Sequence, residues 1–139
     1  MRWVMGCIVF AACAKPPPPK PPPAELEITG PASFAGSWVT DDDMDRGYTL
    51  VIDPAGKVVL TIDRGKMGRC EQKGTLEQGA DPRSYRIAYT KDSCNAPAAA
   101  PAPLEIKIAS FTGAALALVI TGDGTERRPV YTRDPKSAQ

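Results

Sequence analysis

The stretch LEIKIASFTGAALALVITGDG, residues 104–124, decides the fold class of this chain. In each half of it a large aliphatic residue stands at every second position, which is typical of a β-strand with one buried face. Gly122, Asp123 and Gly124 then give a strong hairpin signal. The stretch therefore predicts two strands and a tight turn into a third.

The same two-residue period runs through most of the preceding chain, and no segment of helical length shows a period of 3.6 residues. Turn residues at 54–57 and 79–82 separate the strands, and Gly74 indicates a bulge or bend within one of them. The pattern predicts eight strands, at residues 34–40, 48–53, 57–62, 69–78, 84–90, 104–110, 114–121 and 125–133.

Eight short strands joined mostly by tight turns predict an all-β, antiparallel meander. Closing such a sheet into a small barrel removes its exposed edges and leaves an interior that side chains nearly fill. A two-sheet β-sandwich is the alternative fold. In the barrel, the residues expected to face inward, toward a possible ligand, are Tyr48, Leu50, Leu60, Tyr85, Ile87, Tyr89, Ile106 and Leu118.

The N-terminus is a short apolar run that ends at a cysteine. Residues 3–12 are uncharged and follow Arg2; they are too few to span a bilayer, which takes about 20 residues, but they suit an export signal. Phe10-Ala11-Ala12-Cys13 resembles the lipobox of bacterial lipoproteins. The resemblance implies a signal peptide at 1–12 and a diacylglycerol on the Cys13 thiol. An uncleaved apolar start is the alternative.

A proline-rich linker follows, at residues 13–33 in the predicted domain organisation. Residues 16–23 are seven prolines around Lys20, a composition that favours polyproline II at about 3.1 Å per residue and hence a spacer of about 25 Å. A PxxP ligand is the functional alternative. The barrel is expected at 34–134 and a tail at 135–139. Because Ala14 follows the cysteine, the lipoprotein resemblance favours the outer membrane, with the domain facing the periplasm.

Charge excludes one class of partner. The chain has 17 basic and 16 acidic side chains, and without Arg2 the part after the signal carries 16 of each. A neutral domain of this kind argues against nucleic-acid binding, which needs a basic patch. It also removes polybasic attraction to a membrane, so that the lipid would be the anchor.

Two of the four cysteines remain for the domain once Cys7 and Cys13 are assigned to the N-terminus. In an exported domain such a pair predicts a disulfide. If the turn at 79–82 joins two antiparallel strands, the residue numbers of two residues that lie opposite each other add up to about 161–164. The numbers of Cys70 and Cys94 add up to 164. We therefore predict a structural Cys70–Cys94 disulfide.

The motif Gly36-Ser37-Trp38, preceded by Phe34, resembles the Gly-x-Trp that opens the first strand of lipocalins, avidins and other calycins. The resemblance implies a calycin-like barrel in which Trp38 closes one end against a basic residue of the last strand. Arg127, Arg128 and Arg133 are the candidates for that barrel closure. An ordinary core tryptophan in an unrelated β-domain is the alternative.

Catalytic and metal chemistry find little support. The chain has no histidine, so Ser-His-Asp, Cys-His and histidine-ligated zinc sites are excluded. The acidic run at 41–47 has carboxylates suited to calcium, but its glycine is misplaced for an EF-hand and no glutamate closes the loop. We expect a solvated loop there, no cofactor, no metal and no enzymatic activity.

The sequence therefore predicts a membrane-anchored envelope module that binds a small apolar ligand or a protein partner. The alternative is an inhibitor of a periplasmic or host hydrolase, a protease or lysozyme. Bacterial metalloprotease inhibitors are similar in size and carry one disulfide. Members of that family insert an N-terminal segment into the enzyme, whereas a lipid-tethered N-terminus departs from that arrangement.

Overall fold

The computed structural model describes residues 16–41, 47–94, 103–122 and 124–138, and these form a closed, antiparallel barrel of eight strands. Each strand pairs with its neighbour in sequence, and the last pairs with the first, so both the all-β class and the meander barrel are confirmed. The strands are β1 (Gly36–Asp41), β2 (Gly47–Ile52), β3 (Lys57–Asp63), β4 (Arg69–Gln78), β5 (Ser84–Asp92), β6 (Leu104–Phe111), β7 (Ala115–Thr121) and β8 (Val130–Arg133).

The barrel has two unlike ends. The β2–β3, β4–β5 and β6–β7 connections lie at one end together with both flanks of the barrel chain, and we call this the closed end. The 3-10 turn Pro31–Phe34 enters β1 there, and a second 3-10 turn, Pro135–Ala138, follows β8. The β3–β4 connection and the described part of the β7–β8 connection lie at the opposite end, the open end, as do the ends of β1, β2, β5 and β6 at Asp41, Gly47, Asp92 and Leu104.

Alternation along the strands places one face of each in a single apolar core, as the two-residue period requires. The largest fully buried side chains are Trp38, Tyr85, Phe111, Ile108 and Leu116. Of the residues predicted to face inward, five are buried core members and Tyr48, Leu60 and Tyr89 are half-buried against that core. The five are Leu50, Tyr85, Ile87, Ile106 and Leu118.

Proline sets two of the strand boundaries differently from the sequence prediction. Phe34 ends the 3-10 turn that begins at Pro31 instead of opening β1, because the fixed φ of proline suits the first helical position. At the other end of the chain, the strand predicted at 125–133 is regular only from Val130. Pro129 has no N–H for the ladder, and before it only the isolated Ile120↔Arg127 bridge continues the pairing.

The β4–β5 hairpin contains both the bulge and the disulfide that the sequence predicts. The register shifts between Lys73 and Gly74, where a Cβ on Gly74 would lie 2.6 Å from the Ala88 carbonyl oxygen. Beyond the bulge the ladder continues to Gln72↔Asp92, and two residues further Cys70 bonds Cys94 with a Cα–Cα distance of 5.0 Å.

The barrel's contacts begin before the domain boundary predicted between residues 33 and 34. The Leu26 amide donates to the Phe111 carbonyl oxygen at 2.8 Å, and Arg83 Nη2 lies 2.6 Å from Glu25 Oε1. Ile28 is only 7% exposed and belongs to the core. The proline-rich spacer therefore joins the barrel at Glu25, and the segment after it packs across the closed end.

Candidate functional site

The closed end is organised around Trp38, which is fully buried. The Arg133 guanidinium lies over its ring, 4.0 Å from the centroid. Arg133 Nη1 donates to the Ala35 carbonyl oxygen at 2.9 Å and Nε donates to that of Gly113 at 2.8 Å. The indole N–H of Trp38 donates to the Phe34 carbonyl oxygen at 3.0 Å. The indole N–H and two of the three guanidinium nitrogens thus bind backbone carbonyl oxygens of the closed end.

Gly36 explains why the motif is Gly-x-Trp. Its φ is 143°, which side-chain-bearing residues rarely adopt, and a Cβ there would overlap the Arg133 guanidinium. Of the three candidate arginines, Arg133 is the one that stacks on Trp38. Arg127 pairs through its backbone with Ile120, and Arg128 binds the Glu126 carboxylate at 3.2 Å, both toward the open end.

A small void lies in the apolar core on the side of the closed end. Core residues that include Phe34, Ile52 and Tyr85 line a space of about 20 Å³, room for about one water molecule. Such a volume is far below the several hundred Å³ of a drug-sized ligand site. The lining is apolar and includes five predicted inward residues: Leu50, Tyr85, Ile87, Ile106 and Leu118.

Toward the open end, three tyrosines join the aliphatic residues at inward-facing positions. Tyr48 on β2 and Tyr89 on β5 are half-buried there, and Tyr131 on β8 is 5% exposed. Burial is the main cause that raises the pKa of Tyr131 to about 12; Arg127 lowers it, while Tyr48 and Tyr89 raise it further. Tyr48, Tyr89 and Arg127 thus each influence the ionisation of Tyr131, and we call these four residues the phenol cluster.

A polar pair and the disulfide flank the phenol cluster. Gln72 Nε2 donates to Asp92 Oδ2 at 3.1 Å, and the other oxygen of Asp92 accepts the Cys94 amide at 2.7 Å. The disulfide then fixes Cys94 to β4. Together these contacts hold the end of β5 against its neighbour at the open end.

Sequence reasoning placed Tyr48 and Tyr89 at inward positions but missed Tyr131, Gln72 and Asp92. The alternation of Val130, Tyr131 and Thr132 carried a signal for Tyr131, since only the middle residue faces inward. Gln72 and Asp92 meet through the register shift at the Lys73–Gly74 bulge. The local residue pattern does not predict the size of such a shift.

Two sequence predictions lie wholly or largely outside the described residues: the lipid acceptor Cys13 and the acidic run at 41–47. Within the described ranges, no group of three or more histidine, cysteine, aspartate or glutamate side chains could hold a metal ion. Over the same ranges, no helix has the length and apolar character needed to cross a membrane.

The described residues therefore form a closed end held by the tryptophan–arginine stack, an apolar core with a small void, and an open end with the phenol cluster. Comparison of the chain with protein-family models, with curated proteins and with solved structures finds no match.

Proposed function

We propose that this protein is a lipid-anchored module of the bacterial cell envelope that binds a protein partner at its open end and has no catalytic role. The anchor is the lipid on Cys13, in the outer membrane, with the barrel facing the periplasm. The lipobox-like Phe10-Ala11-Ala12-Cys13 and the proline-rich spacer support the anchor. The barrel geometry supports the binding role.

One observation carries the proposal: the spacer and the open end lie at opposite ends of the barrel. Leu26 and Glu25 bind Phe111 and Arg83 at the closed end, directly after the spacer. A chain anchored before the spacer therefore directs its closed end toward the membrane. The open end then faces away from the membrane, toward other envelope components.

The packing of the apolar core favours a protein partner over a small apolar ligand bound there. Its void of about 20 Å³ cannot take a fatty acid or a similar molecule without displacing core side chains. The open end instead offers an exposed methionine, Met67 at 79% exposure in the β3–β4 connection, and the half-buried Tyr48 and Tyr89 on β2 and β5. Methionine and tyrosine are enriched where proteins bind one another.

Site-specific photo-crosslinking in intact cells tests this function with the full chain. A photoreactive residue at Lys66 or Arg128, both exposed at the open end, should give discrete adducts of protein mass. The same residue at Lys57 or Lys136, exposed at the closed end, serves as the control and should give none. Identical adducts from both ends, or adducts from the closed end alone, would refute binding at the open end.

Cell fractionation tests the anchor separately. The unchanged chain should sediment with the membranes and the Cys13→Ser variant should appear in the soluble periplasmic fraction. If the variant remains in the membrane fraction, the lipid on Cys13 is not what holds the protein there.

Inhibition of a hydrolase is the second candidate function. An eight-stranded barrel with one disulfide is what the resemblance to bacterial metalloprotease inhibitors implies, and both features are present. The segment from Glu25 to Ile28 is packed on the barrel, so it is not available to enter an enzyme cleft. An inhibitor would therefore have to use the open end. Assay of the chain against secreted proteases and lysozymes distinguishes this function, because an inhibitor lowers their turnover at stoichiometric concentration.

A further inference from the structure

The β3–β4 connection places an arginine on the inner side of the open end. The Arg64 amide donates to the Gly68 carbonyl oxygen at 2.9 Å, which continues the β3–β4 ladder beyond the Ile62↔Cys70 pair. Because alternate residues of a strand share a face, Arg64 follows Ile62 at an inward position. Its Nε atom is buried and has no hydrogen-bond partner among the described residues. The Arg64 guanidinium therefore keeps a donor that this part of the barrel does not use.

A second arginine lies at an inward position of the same end. Arg127 bridges Ile120, and residues that pair across neighbouring strands share a face. Ile120 packs on the core, so Arg127 lies on the inner face as well, where it influences the ionisation of Tyr131. Arg127 precedes β8 and Arg64 follows β3, and these two strands are three places apart around the barrel. The two guanidiniums therefore approach the open end from different directions.

Phenols occupy further inward positions of the open end. Tyr48 and Tyr89 are only half-buried there, although both pack against the core. Burial raises the pKa of Tyr131 to about 12, so its hydroxyl remains a hydrogen-bond donor at neutral pH. We call Arg64 and the phenol cluster together the arginine–phenol mouth.

Three carboxylates of the open end are already engaged. Asp63 binds Arg69 at 3.2 Å, and Glu126 binds Arg128 at 3.2 Å. Both oxygens of Asp92 accept hydrogen bonds, one from a glutamine side chain and one from a backbone amide. The β3–β4 connection, residues 64–68, has two basic side chains and no acidic one. The charges of this end therefore favour an anionic group from a binding partner.

We propose that the arginine–phenol mouth binds a carboxylate of the protein partner. The planar fork of arginine fits a carboxylate through two parallel hydrogen bonds, and phenolic hydroxyls beside it supply further donors. The carboxylate belongs to an aspartate or glutamate side chain or to the end of the partner chain. This inference rests on the proposed function, a protein partner at the open end, and identifies the chemical group that the partner presents.

Nuclear magnetic resonance of the full, ¹⁵N-labelled chain in detergent micelles tests the mouth directly. Two probes are used at equal concentration: N-acetylglutamate α-amide, with a side-chain carboxylate, and N-acetylalanine, with a carboxylate at the chain end. Each should shift the Nε–H signals of Arg64 and Arg127, and the larger response identifies the source of the carboxylate. The signal of Arg86, which is exposed on the outer face of β5, should not move. Neutral N-acetylglutamine α-amide is the matched control probe and should shift none of them.

Three results of this titration would overturn the proposal. These are no shift at the two mouth arginines, an equal shift with the neutral amide, and an equal shift with inorganic phosphate. The acidic residues between β1 and β2 supply a further check. The chain with Asp42→Asn, Asp43→Asn and Asp45→Asn should respond to the probes at least as strongly, because like charge is removed. A lost response in that chain would also overturn the proposal, since carboxylates and not guanidiniums would then hold the probe.

Photo-crosslinking in intact cells separates this inference from the proposed function. With the photoreactive residue at Lys66, Arg64→Gln combined with Arg127→Gln should reduce the adducts at least five-fold, while Arg86→Gln should leave them unchanged. Lysine at both mouth positions keeps the charge and should restore part of the adducts. Undiminished adducts in the double glutamine variant would overturn the carboxylate site and leave the protein partner in place. Absence of adducts from the unchanged chain, with the arginine signals still shifting, would refute the protein partner while the carboxylate site stands.

Discussion

At the scale of single residues, the tryptophan–arginine stack ties the two ends of the barrel chain together. Arg133→Ala removes the contact with the Trp38 ring and two hydrogen bonds from a charged group. We expect the free energy of unfolding to fall by about 2–4 kcal/mol, from the sum of these contacts. Urea denaturation checks this value.

A lysine at position 133 separates the contribution of the positive charge from that of the planar guanidinium. Arg133→Lys keeps the charge but loses the planar fork, so it should recover only part of the loss. Arg128→Ala, which removes an exposed ion pair with Glu126, should cost less than about 1 kcal/mol. A loss at Arg133 no larger than that at Arg128 would show that the stack contributes little.

Tyr85, in contrast to Arg133, has a polar side-chain group that we do not expect to stabilise the fold. Its ring is 2% exposed and packs edge-on against Phe34, with centroids 5.4 Å apart. Its hydroxyl is buried without a hydrogen-bond partner among the described residues. We therefore expect Tyr85→Phe to keep the free energy of unfolding or raise it by up to about 1 kcal/mol, since the ring stays and an unsatisfied polar group goes. A decrease of more than 1 kcal/mol in the same urea experiment would mean that the hydroxyl is bonded.

Tyr131 gives the barrel a pH dependence at high pH. Its pKa is about 12 in the folded protein and about 10 in an unfolded chain. Below pH 10 the phenol is protonated in both states and contributes no pH dependence. As the pH rises from 10 to 12 the unfolded chain ionises first, so stability falls by on the order of 2–3 kcal/mol. Denaturation at pH 9 and pH 11 should show about half of this fall, on the order of 1.4 kcal/mol, and the fall should be smaller in Tyr131→Phe.

At the scale of elements, the β4–β5 hairpin depends on its disulfide. Cys70 and Cys94 are 24 residues apart, and a closed loop of that size is worth about 3–4 kcal/mol in the chain-entropy account. We expect the Cys70→Ser, Cys94→Ser double variant to lose about that much in urea denaturation under oxidising conditions. Cys13→Ser, outside the barrel, is the control and should unfold at the same urea concentration as the unchanged chain. A double variant that also does so would show that the disulfide is dispensable.

The elements also show what the sequence could and could not predict. Alternation identified all eight strands, and the bounds predicted for β4, residues 69–78, agree with the structure. The start of β8 was missed because Pro129 interrupts a strand that side-chain alternation alone would continue. Which of Arg127, Arg128 and Arg133 stacks on Trp38 depends on the β1–β8 register, in which Trp38 lies opposite Arg133. The sequence pattern does not give that register. The phenol cluster gathers residues from β2, β5 and β8, and only the closed barrel brings them together.

At the scale of the whole molecule, the proposed anchor predicts an orientation. With a fluorophore on a cysteine at Arg128, at the open end, or at Lys136, at the closed end, we expect a quencher in the bilayer headgroups to act more strongly on Lys136. The reason is that the spacer enters beside the closed end. Full-length protein in lipid vesicles is the sample, and free label in the same vesicles gives the baseline. Equal quenching at both positions, or stronger quenching at Arg128, would contradict this orientation.

The order of strands has a consequence for how the chain folds. Seven of the eight strand pairings join neighbours in sequence and can form as successive local hairpins. The eighth joins β1 to β8, with only Trp38↔Arg133 and Val39↔Thr132 in register. It must close a loop of nearly the whole barrel chain, at the largest entropic cost of any pairing. Because β8 is the last strand of the barrel, β1 keeps an unpaired edge until β8 is in place. We therefore expect barrel closure to come last in folding, and a chain that lacks β8 would present two open edges to its neighbours.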